Sequence, residues 1–476
     1  MNRKSICIPI LCLALLISML GCATDAPPTD LHISTFVIEE KVGKGKTTVD
    51  ITLEASSSTA EAGIFVGDMQ KGQGAFGYKG YCLIASKDAL SLIDTRTDKI
   101  TELASRFIDG LANGKEIRLR LEIDGTVCRG YLLDDLPNVD PWPEFELPIQ
   151  DCEGYDIGYI SLTATPCNYR NLSVTYGDKT EFSEKTYTNN VYANYPDPDV
   201  LFYDGTYYLY GTGGAGGYRV HSSTDLVNWT DRGVAAPFGM WGISKNYWAP
   251  DVEYIDGMFY MVASCNENLG IAVSSSPLGP FKPITEAVLY KRAIDGHLFV
   301  DDDGRIYLYY VNIGTNSGIY GVELNSSMSP LGESKRLLYP TEAWEMHDGR
   351  VTEGPYMLKQ NGSYYLTYSG SDYQSHNYAV GYAISQSPLG SYQKYILNPI
   401  MIGNSAISGT AHHCIIPLPD REEMLIVYHC HDSLTQIHAR DVCIDLIRFA
   451  PTKDGVDRLE VYGPTVTPQP YPLDKP

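Results

Sequence analysis

"DPDVLFYDGTYYLYGT", residues 197–212, sets an acid and a proline before an apolar run, turns at Asp204-Gly205, and resumes as a second aromatic run. Two runs rich in aromatic and β-branched residues around an Asp-Gly pair have the pattern of a β-hairpin. The unit returns as "APDVEYIDG" (249–257), "DGHLFVDDDG" (295–304), "EGPYMLKQNG" (353–362) and, more loosely, "HHCIIPLPDR" (412–421). Each copy leads into a second run: "MFYMVAS", "RIYLYYVN", "SYYLTYSG" and "EEMLIVYHC". Ser-Pro-Leu-Gly recurs in phase with these copies, at 276–279, 329–332 and 387–390. Repeats of roughly 50 residues that each hold several short strands mark propeller blades rather than a helical solenoid. The chain from 191 to 476 is therefore expected to form a five-bladed β-propeller.

Innermost strands of a propeller run along its central channel, so equivalent positions converge on one axis. The first positions of the five units are Asp197, Ala249, Asp295, Glu353 and His412. Three carboxylates and a histidine are thus expected around one funnel. Gathered like charges raise one another's proton affinity, and such groups separate into an acid and a base. The two aspartates of Asp197-Pro198-Asp199 differ in repeat position: Asp197 aligns with the ring of acids, whereas Asp199 aligns with Asp251 of the unit that begins with Ala249. Asp199 and Asp251 are read as hydrogen-bonding strand residues, and Asp197 as chemical.

Upstream, residues 32–177 have a different pattern. In "EIRLRLEIDGTVCRGYLL", Ile117, Leu119, Leu121 and Ile123 alternate with Glu116, Arg118, Arg120 and Glu122 before an Asp124-Gly125 turn. That is a half-buried antiparallel strand, and "TTVDITLEAS", "AGIFVGD" and "DIGYISLTA" extend the reading to a β-sandwich. A polar linker is expected at 178–190. The whole chain is expected to be all-β, which its 36 Tyr and 44 Gly among short strands and tight turns favour.

The chain has 476 residues, 43% of them hydrophobic, with 36 Lys plus Arg against 58 Asp plus Glu. A formal charge of -22 with no basic block excludes nucleic acid as the expected partner. Arg3 and Lys4 precede an apolar run from Ile6 to Leu20 that ends at Gly21-Cys22. This is read as an export signal over 1–21. A small residue before Cys22 resembles a bacterial lipobox, so Cys22 is expected to carry a lipid anchor and 22–31 to be a tether. The location expected is a cell surface or a periplasm-facing membrane, with no other membrane partner and a monomeric chain. The eight cysteines beyond Cys22 match no zinc spacing and contain no CxxC pair.

Several segments then point to one family. "YPDPDV", "NYWAPDV", "AIDGHLFVDDDG", "VTEGPYMLKQNGSYYLTYSG" and "SGTAHHCII", in that order, make the region from about 190 onward resemble glycoside hydrolase family 43. The segments "STDLVNW" and "ARDVCIDLIRF" are similar to family segments as well. The resemblance implies that Asp197 is a general base, that Glu353 is the general acid, and that Asp295 raises the pKa of that acid and orients it. It also implies inversion in a single displacement, with no cofactor needed for the chemistry. His412 matches an axial histidine that sits beside a calcium ion or a water in the channel, which makes a structural calcium an expectation. Ile294-Asp295-Gly296 and Gly409-Thr410-Ala411-His412 depart from the usual family motifs at single positions. The upstream region resembles, by pattern only, the concanavalin-like jelly rolls that accompany carbohydrate-active enzymes.

Trp241, Trp248 and Trp344 are candidate sugar platforms near the funnel, and Arg440 is a substrate contact implied by the resemblance; Trp229 is read as blade packing. His412 also has the ordinary reading of a satisfied core histidine, His413 is read as packing, and Asp301 to Asp303 as a solvated hairpin turn. The function expected is release of α-L-arabinofuranosyl or β-D-xylosyl units from plant polysaccharide. An endo-arabinanase and a noncatalytic glycan-binding lipoprotein are the alternatives.

Overall fold

The strand predicted around residues 117–123 forms as Glu116–Asp124 and turns at Gly125 into Val127–Leu133. The computed structural model describes residues 36–55, 59–68, 79–97, 99–112, 114–133, 142–162, 167–179, 185–419, 421–453 and 455–473. The leader, Cys22 and the tether lie outside the described residues. Ile117, Leu119, Leu121 and Ile123 are buried as the alternation requires. Glu122, on the opposite face, is also buried; it accepts the Tyr131 hydroxyl at 2.8 Å and pairs with Lys46 at 2.8 Å.

Two compact units divide the chain, the first ending at Glu181 and the second beginning at Phe182. The segments Asn404–Ala406 and Thr465–Thr467 group with the first unit. That unit contains two antiparallel sheets. One is six-stranded, in the order Phe36–Lys41, Asp156–Ser161, Ala62–Asp68, Lys79–Ala85, Ala89–Asp94, Thr101–Phe107. The other is five-stranded, in the order Asn168–Gly177, Lys46–Glu54, Glu116–Asp124, Val127–Leu133, Phe145–Pro148. Ile64, Leu83 and Leu92 of the first sheet share one apolar core with Val49, Leu119 and Leu121 of the second.

The second unit is a β-propeller of five antiparallel sheets, and their inner strands are the five repeats. Blade one consists of Asp199–Tyr203, Thr206–Tyr210, Gly217–Ser223 and Thr230–Pro237. The inner strands of blades two to five are Tyr247–Ile255, Ala293–Val300, Thr352–Gln360 and Ala411–Pro417. Apolar cores join neighbouring blades: Tyr218 and Val220 pack with Met261 between blades one and two, and Val200 and Leu209 pack with Cys414 and Val427 between blades one and five.

The second repeat, Ser-Pro-Leu-Gly, follows the third strand of blades two, three and four. In blade two it is a docking point, because the buried Tyr210 hydroxyl of blade one donates to the carbonyl of Pro277 at 2.5 Å. Blades three and four repeat the contact, with Tyr309 donating to Pro388 at 3.0 Å. The expected linker is partly built into this unit. Thr186–Tyr187 pairs with Gln469–Pro470, and the Asn189 amide bonds both the carbonyl and the N–H of Ile444, at 3.0 and 2.9 Å. A side-chain amide carries the same donor and acceptor as a peptide group, which is why a polar stretch can be fixed here.

Removing the Tyr210 hydroxyl leaves the buried Pro277 carbonyl short of a donor, at a cost of about 1 kcal/mol, whereas the Pro388 carbonyl also accepts the Tyr392 hydroxyl at 3.0 Å and keeps one of its two donors when Tyr309 is changed. Tyr210→Phe is expected to lower the guanidinium unfolding midpoint of the propeller, and by more than Tyr309→Phe does; an unchanged midpoint in Tyr210→Phe would refute the docking role.

Candidate active site

Each inner strand enters the channel through one residue in the left-handed region: Asp197 (φ 56°), Ala249 (φ 34°), Asp295 (φ 51°), Gly354 (φ 53°) and His412 (φ 46°). The strand register shifts around this residue in blades two to five, which is the behaviour of a β-bulge. The left-handed residue, seven positions before Asp204, Asp256 and Asn361 in blades one, two and four, corrects the repeat alignment. Gly354, not Glu353, is the ring residue of blade four, so Gly354-Pro355 matches Asp197-Pro198 and Ala249-Pro250. Glu353 stands one residue earlier, at the position held by Trp248 in blade two. Glycine suits blade four because a Cβ there would lie 3.3 Å from His412 Nδ1 and 3.4 Å from Ser369 Oγ.

The ring residues are held by the ends of second strands. Thr212 Oγ1 accepts the Ala249 N–H at 3.0 Å, Ser264 Oγ accepts that of Asp295 at 3.0 Å, Ser369 Oγ that of His412 at 2.8 Å, and His429 Nδ1 that of Asp197 at 3.2 Å. Each donor is bonded by the preceding blade. Blade three breaks the series because Val311 occupies the corresponding place, and the Gly354 N–H goes instead to Asp295 Oδ2 at 3.2 Å. Asp295 thereby anchors the residue that follows Glu353. The small polar residues that close the second runs, Thr212, Ser264 and Ser369, are the signal in the sequence that marks this arrangement.

Asp197 and Asp295 are both buried, and their proton affinities differ. Burial pushes the Asp197 carboxyl up, but the Arg440 guanidinium outweighs it and holds the group well below the usual carboxylate range. Arg440 Nη1 lies 2.6 Å from Asp197 Oδ1, and Thr212 donates its hydroxyl to Oδ2. Burial keeps His412 low and His429 at about 3, so both rings are neutral near pH 7. Glu353 is pushed up to about 7, chiefly by burial, with the charges of Asp197 and Asp372 adding to it; a 2.7 Å hydrogen bond from the Tyr378 hydroxyl works against the rise. Asp295 is raised well above its ordinary value by burial and by the charges of Glu353 and Asp197. An ionised carboxylate and a protonated one thus share a single site.

The structure brings Asp197, Asp295, Glu353, Arg440 and His412 together. Arg440 departs from the reading as a free substrate contact, since its guanidinium is paired with Asp197. It also lies 5.0 Å from the ring centre of Tyr373, an exposed residue of the loop that carries Asp372. Trp248 is half-buried next to Ala249 at the ring. Trp344 is not a platform: its ring packs on Gly370, Gly381 and Tyr368, and its N–H is donated to Glu342 at 2.7 Å. Trp241 lies in the Met240–Gly242 turn, against the third strand of blade two rather than at the ring. Trp229 packs as expected, and its N–H is donated to Leu226. His413 is buried and bonds Thr367 at 2.7 Å. Asp301 to Asp303 form the expected turn, but Asp301 is buried beneath Lys359 and the Tyr364 hydroxyl. His412 offers a single imidazole whose nearest acid, Asp197 at 3.6 Å, is already paired with Arg440. That donor set is poor for calcium, which binds six to eight oxygens.

Two residues below the ring lies a second layer: Asp199, Asp251, His297, Tyr356 and Cys414. Asp199 accepts the Val252 N–H of blade two at 2.9 Å, Asp251 accepts the Leu298 N–H of blade three at 3.0 Å, and the Tyr356 hydroxyl donates to the carbonyl of Ile415 in blade five at 2.7 Å. The second aspartate of the opening motif is thus a latch between blades. Burial, then Asp251 and Glu253, raise Asp199 well above its ordinary value. Below pH 4 this carboxyl is protonated in both the folded and the unfolded chain and costs nothing. As pH rises, the unfolded chain releases its proton first, and native stability falls. Asp199→Asn keeps an acceptor for Val252 but cannot ionise. Its stability relative to the parent is expected to rise between pH 4 and pH 8 in urea titrations, and a pH-independent difference would contradict the shift.

Comparison with known proteins agrees with this architecture. The family model "Glycosyl hydrolases family 43" matches residues 187–456, more than half of the chain. A "Beta-D-galactofuranosidase xynD" of Aspergillus niger is 30% identical over 282 residues, covering 54% of this chain and 79% of that protein. "Xylosidase/arabinosidase 43A" of Humicola insolens is 29% identical, over 45% of this chain and 74% of its own. Among solved structures, a thermostable family-43 glycoside hydrolase aligns with a TM-score of 0.56 and 36% identity, over 61% of this chain and all of that one. An endo-1,4-beta-xylanase from Bacteroides thetaiotaomicron aligns at 0.54 with 34% identity, over 59% of this chain and 98% of that one.

Proposed function

The chain belongs to glycosyl hydrolase family 43, and from that premise we propose that it is an inverting, exo-acting enzyme that releases α-L-arabinofuranosyl or β-D-xylosyl units from plant polysaccharides or oligosaccharides. One observation carries the reading. In a single buried site, Asp197 is held ionised by Arg440 while Glu353 is held protonated up to about pH 7. Inversion needs that pair, a base for water and an acid for the departing oxygen.

Asp197 takes a proton from a water as the water's oxygen bonds to the anomeric carbon. Glu353 delivers its proton to the glycosidic oxygen as the carbon–oxygen bond breaks, so the leaving sugar departs as an alcohol. Asp197 ends protonated and Glu353 ionised, and exchange with solvent restores both. Asp295 positions Glu353 through the Gly354 N–H. Arg440 keeps Asp197 ionised rather than binding sugar first. Trp248, at the place in blade two that Glu353 holds in blade four, supplies an apolar ring face for the bound pentose. The choice of pentose follows the names of relatives, which include a xylosidase/arabinosidase and an exo-alpha-(1->5)-L-arabinofuranosidase. The leader and Cys22 support placement at a cell surface.

Turnover of 4-nitrophenyl α-L-arabinofuranoside, β-D-xylopyranoside and β-D-galactofuranoside, with Asp197→Asn as control, tests the reading. Release from one pentoside, absent in the control, is expected; release from the galactofuranoside alone, or from none, would displace it. Glu353→Gln is expected to lower kcat on natural linkages about 10²–10⁴-fold, and much less on the nitrophenyl substrates, whose leaving group needs no proton. Equal losses would remove Glu353 from the acid role. Because the acid must be protonated, kcat/KM is expected to fall as pH rises through about 7. Tyr378→Phe removes a hydrogen bond that favours ionised Glu353, so this limb is expected to move to higher pH; a shift to lower pH would overturn the assignment.

A further inference from the structure

Trp241 has backbone angles of φ 51° and ψ 26° inside a one-turn helix, between Gly239 at φ 111° and Gly242 at φ 75°. For a residue with a Cβ this conformation costs about 1–2 kcal/mol, and such strain persists only where neighbours over-determine it. Tyr247 does so: its hydroxyl accepts the N–H groups of Gly239 and Met240, at 3.0 and 2.9 Å, and donates to the carbonyl of Ile243 at 2.9 Å. The indole is fixed as firmly as its backbone. One side lies so close to Gly270 that a Cβ there would sit 2.3 Å from Cζ2, and Nε1–H is donated to the carbonyl of Thr285 at 3.0 Å. The ring, which is half-buried, borders a cleft of about 460 Å³ lined by Trp241, Gly242, Pro283, Ile284, Thr285 and Glu286.

We propose that this cleft is a second glycan-binding subsite, in which one or two neutral sugar units of a substrate chain stack on Trp241 and hydrogen-bond to Glu286. The inference rests on the glycosidase reading and adds to it a hold on the chain outside the catalytic ring. The ring C–H groups of a pyranose or furanose present a weakly positive, apolar face that complements the negative face of an indole. With its N–H spent on Thr285, the indole offers that face and nothing else. Glu286, exposed at the cleft, accepts hydroxyl hydrogens, and the volume is within the range of small-molecule sites. Tyr247, which sets the turn, directly precedes Trp248 at the catalytic ring, so the two tryptophans belong to one rigid segment.

Oxidation of individual tryptophans by N-bromosuccinimide, read by peptide mass spectrometry, tests the cleft alone. The chain carrying Asp197→Asn is treated with and without millimolar xylotetraose or arabinotetraose. Slowing of Trp241 oxidation by threefold or more is expected, with loss of that protection in Glu286→Ala, an exposed position that leaves the fold alone. Protection of Trp248 with none at Trp241 would overturn the subsite and leave the glycosidase reading standing; protection at neither would overturn the subsite and count against the reading as well. Protection of Trp241 that persists fully in Glu286→Ala would overturn the role of Glu286 in holding the sugar.

Discussion

One left-handed residue per blade is the constraint on which the rest of the propeller depends. A β-strand alternates its side chains between two faces, and a bulge breaks that alternation at a chosen point. Here the break falls at the mouth of the channel in blades two to five, so that Glu353 and Gly354, adjacent in sequence, serve different purposes. Four of the five ring residues carry a Cβ in a region that L-residues avoid. What holds them there is the N–H bond to the preceding blade. Four of the five acceptors are side chains at the ends of second strands, and the fifth is Asp295 itself. Strain in one blade is thus held by its neighbour, and the ring is fixed as a closed set.

That closure decides the electrostatics. Carboxyls gathered in a water-poor site cannot all ionise, and the proton stays with whichever group has least cationic help. Arg440 contacts Asp197 and so selects it as the ionised group. Moving Glu353 from its ordinary value to about 7 corresponds to about 3 kcal/mol, an expense that a merely structural glutamate would shed by facing solvent. Tyr378 limits the shift and keeps the proton transferable. Two neutral histidines leave the balance to the guanidinium.

Much of this was legible in the sequence, for physical reasons. Hairpins with Asp-Gly and Asn-Gly turns encode themselves locally, and a repeated hairpin encodes a repeated blade, so the all-β class and the propeller followed from residues 197–212 and their copies. The bulge itself was not legible, because a register shift in an inner strand leaves no composition signal, but the place of the ring residue was. Glu353 was placed on the ring because the unit was started at its acid; counted back seven residues from Asn361, as Asp197 stands from Asp204 and Ala249 from Asp256, the ring position is Gly354. Trp344 was misread because an indole over two glycines, Gly370 and Gly381, packs the interior of a blade, and those glycines are distant in sequence. Tyr378, Tyr373 and His429 were missed because their partners come from other strands or blades.

The motif Asp197-Pro198-Asp199 shows how position overrides residue type. Both aspartates are buried and both line the channel. Asp197 meets a guanidinium 2.6 Å away and is held ionised; Asp199, two residues deeper, meets Asp251 and Glu253 and is held protonated. The ionised group sits where water and substrate arrive, and the protonated one where blades are joined. A carboxylate at the latch would add a further negative charge beside Asp251 and Glu253, whereas a carboxyl is neutral and still accepts the N–H of Val252. One residue type therefore serves as base and as fastener, and the choice between them is made by a single arginine delivered from blade five.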